Sequence, residues 1–148
     1  MKQERQYHIP FGWTTIEDSK KLLEKGLNPT TADMSYNWVV CRVANGNSKE
    51  DWLLQPFSPD DNQPHEQLPC WSLGALLELI PKFLMVEWNC TEYYLNVFPN
   101  PDGSMCVDYV DNYTDDSLVA FIEDTTIKAV VNMLVWLLEN EYIQKCNN

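Results

Sequence analysis

Five cysteines, two histidines and four closely spaced aspartates are the residues of this chain whose types could do chemistry. The cysteines are Cys41, Cys70, Cys90, Cys106 and Cys146, at long, irregular spacing and with no C-x-x-C pair. Zinc sites draw thiolates from close pairs, so this spacing argues against one. Cys70 has the most suggestive surroundings. It stands just before a helix start, where the backbone dipole lowers a thiol's pKa, and His65, five residues upstream, would be its base. The plainer reading of Cys70 is a small buried hydrophobe. Neither His8 nor His65 belongs to an H-x-x-x-H or H-E-x-x-H pattern, and both sit in polar sequence.

Asp108, Asp111, Asp115 and Asp116 crowd the stretch "VDYVDNYTDD". Oxygen-rich clusters of this kind hold Ca²⁺ or Mg²⁺ when the spacing suits the ion. EF-hand spacing is absent, so a solvated acidic loop is the simpler reading. Five glycines make no phosphate-cradling loop, and there is no G-x-S-x-G. No metal or cofactor is expected. An enzyme or redox protein using Cys70 or the 108–116 aspartates is the alternative to a non-enzymatic role, and not the leading reading.

The remaining functional signal is aromatic. Trp136 falls on the polar side of a helical pattern, and exposed tryptophan is a common interface anchor. The competing reading is that another part of the chain covers it. Trp136, His65 and Cys70 are therefore the candidate interaction residues.

These residues need elements to position them. "TTIEDSKKLLEKGLNP" predicts a helix, with Thr14 and Glu17 as a capping box, Gly26 as its left-handed stop, and Ile16, Leu23 and Leu27 on one stripe. Residues 35–43, "SYNWVVCRV", predict a strand, and "ANGNS" a turn. "DWLLQPF" predicts a short strand held at an edge by Pro56. Residues 58–69, polar and with three prolines, read as a loop. Residues 73–80 predict a one-sided helix between a Ser72 cap and Pro81, with Leu73, Leu76, Leu77, Leu79 and Ile80 on one arc.

Residues 90–110 predict a β-hairpin turned by Pro101-Asp102-Gly103. With Asn100 opposite Ser104, Val97 pairs with Val107 and Leu95 with Tyr109 on one apolar face. The other face then carries Tyr94, Asn96, Phe98, Cys106 and Asp108. "DTTIKAVVNMLVWLLENEYI" predicts a long helix capped by Asp124 or Thr125. Its core stripe is Ile127, Val130, Val131, Leu134, Leu137, Leu138 and Tyr142.

These elements predict an α+β fold in a single domain, 1–148. A small, mostly antiparallel sheet is built on the central hairpin and packed by the long C-terminal helix and two shorter helices. A chain of 148 residues buries roughly two thirds of its unfolded surface without needing disulfides. The formal charge is −12, from 22 acidic and 10 basic residues. Such a field repels phosphate backbones and anionic lipid, so neither nucleic acid nor a membrane is an expected partner. A protein with a basic surface fits it better. No apolar run approaches the ~18 residues of a membrane span. "MKQERQYHIP" has no apolar run behind its charges, and an odd cysteine count suits reduced thiols. A cytoplasmic location is expected. The triplets at Asn89 and Asn112 match a glycosylation pattern, which without a secretory route means little.

The blocks "TTIEDSKKLLEKGLNPTTADMSY", "PCWSLGALLELIP" and "DTTIKAVVNMLVWLLENEYI" together resemble a family of small uncharacterised proteins of gut Bacteroidales genomes, often carried on prophages and other mobile elements. The resemblance covers about 60 of 148 residues in three ordered blocks. It implies a bacterial cytoplasm and an accessory role in a phage or mobile element, and no particular chemistry. The leading expectation is a non-enzymatic, accessory or inhibitor-like protein-interaction role. A structural or assembly component is a further alternative.

Overall fold

The computed structural model describes residues 12–42, 44–56 and 67–146. In chain order the elements are α1 Ile16–Glu24, β1 Met34–Arg42, β2 Ser48–Pro56, β3 Gln67–Cys70, α2 Leu73–Leu79, β4 Phe83–Val86, β5 Thr91–Pro99, β6 Met105–Asp111, β7 Ser117–Glu123 and α3 Thr126–Glu139. A 3₁₀ turn at Pro29–Thr31 links α1 to β1. The fold is α+β, as expected. The strands form two antiparallel sheets, of order β2-β1-β3 and β4-β5-β6-β7, where one was expected. The break comes at 71–82, where α2 separates β3 from β4.

Residues 67–69, expected as part of a loop, belong to β3. They pair with β1 in the register Ser35↔Pro69 and Tyr36↔Leu68. Proline is tolerated because β3 is an edge strand whose outer side makes no ladder. Pro56 likewise ends the edge strand β2, as expected.

The cap of α1 is Thr15, not Thr14. Thr15 Oγ1 accepts a hydrogen bond from Asp18 N at 3.0 Å. Thr14 is instead buried, at the meeting point of three elements. Its Oγ1 lies 2.8 Å from Ser19 Oγ and accepts from Trp71 N at 3.0 Å. Its carbonyl accepts from Tyr36 Oη at 2.8 Å. The buried stripe of α1 correspondingly runs through Ser19 and Leu22, with Leu23 only partly buried. The helix stops at Gly26, whose φ is +99°. Leu27 N bonds Leu22 O and Gly26 N bonds Leu23 O, the paired bonds that close a helix end around a left-handed residue.

Ser72 caps α2, with Oγ accepting from Ala75 N at 3.2 Å. Leu76 and Ile80 are buried, and Leu77 lies at the exposed edge of the arc. The central hairpin has the expected register, Leu95↔Tyr109 and Val97↔Val107, closed by Asn100 N to Ser104 O at 2.8 Å. Gly103 takes φ +88° in the turn.

Thr125 caps α3, its Oγ1 accepting from Lys128 N at 3.3 Å. The helix is more deeply buried than its stripe implied. Ala129, Met133 and Val135 join Val130, Val131, Leu134, Leu137 and Leu138 inside. It packs on the inner face of β6 and β7 and against α2 and α1. From the sheet come Leu84, Val86, Tyr93, Val107 and Tyr109, and from α2 come Leu76 and Ile80. Each fully buried leucine of this core contributes about 2 kcal/mol. Tyr109 Oη reaches through to Pro81 O at 2.6 Å.

Candidate functional site

Two of the three sequence candidates lie among the described residues, Cys70 in β3 and Trp136 in α3. Cys70 closes β3 and is fully buried. Burial pushes its thiol up to about 12, against the lowering by a hydrogen bond with Thr14. Desolvation disfavours the thiolate, and Cys70 has the surroundings of the plainer reading, a small buried hydrophobe. His65 lies outside the described residues. Trp136 is half-buried against the core, and Tyr142 stacks on it with ring centres 5.3 Å apart and planes 20° from parallel. The covering is therefore supplied within the chain. It arises because α3 ends at Glu139 instead of continuing through Tyr142. Glu141 takes φ +61°, and Tyr142 N bonds Leu137 O, folding the chain back along the helix.

Of the aspartates of 108–116, Asp111, Asp115 and Asp116 share the β6–β7 turn, joined by Asp111 N to Asp116 O and Asp115 N to Asp111 O, both at 2.9 Å. Asp111 holds the β6–β7 turn, accepting from Tyr113 N at 2.9 Å and Thr114 Oγ1 at 3.2 Å. Asp108 is within β6. Among the described residues no group of three or more His, Cys, Asp or Glu side chains is placed to hold a metal ion.

The surface that stands out is the outer face of the four-stranded sheet. Strand alternation sends Val107 and Tyr109 of β6 inward and Cys106 and Asp108 outward. Across the sheet the outer face forms three rows: Phe83, Tyr94 and Val110; Asn96, Asp108 and Ala120; Phe98, Cys106 and Ile122. Met85 lies beside Glu92 in a fourth, shorter row. Both α2 and α3 are on the other side, and among the described residues no element packs over these rows. Phe83 is 58% exposed, Met85 55% and Ile122 60%.

The charge on this sheet is one-sided. From 83 to 127 the chain has nine acidic residues and no Lys, Arg or His. Lys82 and Lys128 stand just outside that interval. At the turn end of the sheet, the β4–β5 and β6–β7 turns enclose a recess of about 310 Å³ lined by Met85, Cys90, Glu92, Tyr94, Asp111 and Tyr113. Trp88, 82% exposed, projects from the first turn, and Tyr113, 98% exposed, from the second. The Glu92 carboxylate pushes the Tyr94 hydroxyl above its ordinary range.

In the centre of the face Asp108 is only 6% exposed. Ser117 Oγ lies 3.4 Å from Oδ2, a long contact, and Oδ1 has no hydrogen-bond partner. Burial raises its pKa above the ordinary aspartate value. Cys106 beside it is buried too, its thiol pushed up by burial and then by Asp108.

The alternation of the hairpin had already put Tyr94, Asn96, Phe98, Cys106 and Asp108 on one face. Sequence reasoning missed that among the described residues the face is uncovered, and missed Phe83, Met85 and Ile122 as part of it. One signal was available: 45 consecutive residues without a cation, from 83 to 127.

Fold and surface together define an acidic α+β fold in which helices cover one face of the four-stranded sheet and, among the described residues, no helix or strand covers the other. No family model, curated protein or solved structure matches the chain.

Proposed function

We propose that this protein is a non-enzymatic interaction module that binds a basic protein through the outer face of its four-stranded sheet. The observation that carries this reading is the bare face itself. Phe83, Met85 and Tyr94 on one side of the Asn96–Asp108–Ala120 row and Ile122 on the other expose large apolar side chains, and exposed apolar clusters on a sheet mark interaction surfaces. The acidic sequence of 83–127 gives the same sheet a negative field. Such a field speeds encounter with a positive surface and rejects like-charged partners, a second copy of this chain among them. Aromatic anchors within a charged surround are the usual composition of a binding patch.

Among the described residues no helix is long and apolar enough to cross a membrane. The resemblance to proteins of Bacteroidales mobile elements supplies a setting for the proposal, an accessory or inhibitor-like protein acting on a host or phage protein in the cytoplasm.

The test is a capture from the native host, run in parallel with the natural chain and with Phe83→Glu and Ile122→Glu variants. Both positions are solvent-exposed, so the variants keep the fold. A basic protein retained by the natural chain at low salt, released by high salt and lost with either variant supports the reading. Equal retention by the variants, or a partner indifferent to salt, overturns it.

A further inference from the structure

The middle row of the outer face contains a group left unsatisfied among the described residues. Asp108 is flanked across the sheet by Asn96 on β5 and Ala120 on β7. Ala120 is small, and the rows on either side carry Tyr94, Phe98 and Ile122. The carboxylate therefore lies in a shallow trough between apolar ridges. It is more than nine-tenths buried, one oxygen has a single long contact to Ser117, and the other has none. Buried polar groups are almost always hydrogen-bonded, and a carboxylate left without a partner is among the costlier exceptions.

Its own sheet offers no cation, because β4 to β7 contain no Lys, Arg or His. Nor does it face the core, where its neighbours in sequence, Val107 and Tyr109, are packed. On the side to which it points, Phe83, Tyr94 and Ile122 are solvent-exposed.

Taking the bare face as the docking surface, we infer that Asp108 is its central anchor and receives an arginine side chain from the basic partner. A guanidinium presents two parallel N–H groups, which match a carboxylate with a free oxygen. Its flat, weakly hydrated faces suit the aromatic ridges of Tyr94 and Phe98, where an ammonium would lose more hydration. Docking removes water from around the pair and supplies the missing hydrogen bonds. A surface carboxylate at the rim would contribute to steering alone. One in the desolvated centre of an apolar patch decides which partner stays bound.

The test uses the full chain as bait for a displayed random-peptide library, with Asp108→Asn and Ile122→Glu variants alongside. Enriched peptides should carry an arginine next to apolar residues, and their affinity should fall with Ile122→Glu. Asp108→Asn should weaken them at least tenfold. Replacing the peptide arginine by citrulline, which has the same shape and no charge, should weaken them equally, and the two changes together should add little. Peptides weakened by Ile122→Glu and indifferent to Asp108→Asn would overturn the anchor and leave the docking face standing. Failure to enrich any peptide sensitive to Ile122→Glu would overturn both. Denaturant unfolding of Asp108→Asn supplies a separate check. An anchor held ready for a partner predicts equal or greater stability of the free variant, whereas a carboxylate serving the fold predicts a loss.

Discussion

Thr14 and Trp71 are joined by two hydrogen bonds across 57 residues of chain: Thr14 N donates to Trp71 O at 2.9 Å, and Trp71 N donates to Thr14 Oγ1 at 3.0 Å. Both residues are fully buried. The pair ties the entrance of α1 to the junction of β3 and α2, and Tyr36 Oη adds β1 to it through Thr14 O.

Thr14→Val keeps the shape of the side chain and removes the hydroxyl. Trp71 N–H then loses its buried acceptor, and Ser19 loses its partner. The expected cost is about 2–4 kcal/mol, from one or two buried polar groups left without bonds. Thr14→Ser should recover most of it. Urea unfolding of the two variants measures the difference; equal midpoints for Val and the natural residue would remove the Thr14 hydroxyl from any structural role.

Two helices end on left-handed residues, one with glycine and one without. Gly26 has φ +99° and Glu141 has φ +61°. Glu141→Gly relieves a side chain of a conformation that costs about 1 kcal/mol, so the variant should melt a few degrees higher. Gly26→Ala should do the reverse. A Cβ there meets the Lys145 side chain at 3.1 Å in addition to the strained backbone. Paired thermal melts showing the same sign for both substitutions would contradict the assignment.

Burial raises the pKa of Asp108, so over the interval between the ordinary value and the raised one the folded state holds a proton that the unfolded chain has lost. Stability therefore falls as pH rises through that interval and returns as pH is lowered. Glu139 works in the opposite sense. Its hydrogen bond and charge pairing with Lys25 lower its pKa, so its contribution is present above the ordinary glutamate value and lost as pH falls through the lowered one. That pair, at 2.7 Å, is on the surface, where screening keeps such contributions small. Subtracting the stability–pH curve of Asp108→Asn from that of the natural chain isolates the Asp108 slope. A difference that grows more favourable to the natural residue with rising pH would reverse the sign argued here.

Thiol labelling separates the cysteines by environment. Cys90 is exposed in the β4–β5 turn, whereas Cys70 is buried with its thiol pushed up to about 12. Near neutral pH iodoacetamide should modify Cys90 readily and leave Cys70 intact until the protein unfolds. Mass mapping of the labelled peptides is the readout, and modification of Cys70 at the rate of Cys90 would restore the case for a reactive thiol.

The parts of the fold that were legible in the sequence are those made by residues a few positions apart. Pro101, Asp102 and Gly103 preset their own turn, and the turn then dictates Leu95↔Tyr109, five pairing steps beyond Asn100 and Ser104. Ser72 and Pro81 bracket α2, and Gly26 stops α1, because caps and stops act on adjacent backbone groups. Errors arose where a distant partner competed for a local group. Thr14 satisfies every local rule for a cap, yet its hydroxyl is drawn to Trp71 and the cap moves to Thr15. Leu68 and Pro69 look like loop until β1 offers them a ladder. Glu141 is a poor left-handed residue by type, and packing of Tyr142 on Trp136 goes with its conformation.

The site divides along the same line. Sequence alone determined the acidic character of 83–127 and the alternation that puts Asp108 on one face of the hairpin with Tyr94 and Phe98. Only the tertiary structure decided that α3 lies on the opposite face, that Asp108 is buried without a partner, and that Cys70 is sealed in. Alternation along a strand is a property of the backbone and needs no neighbour. Which of the two faces is covered, and how much water a carboxylate or a thiol keeps, depends on layers that come from far along the chain.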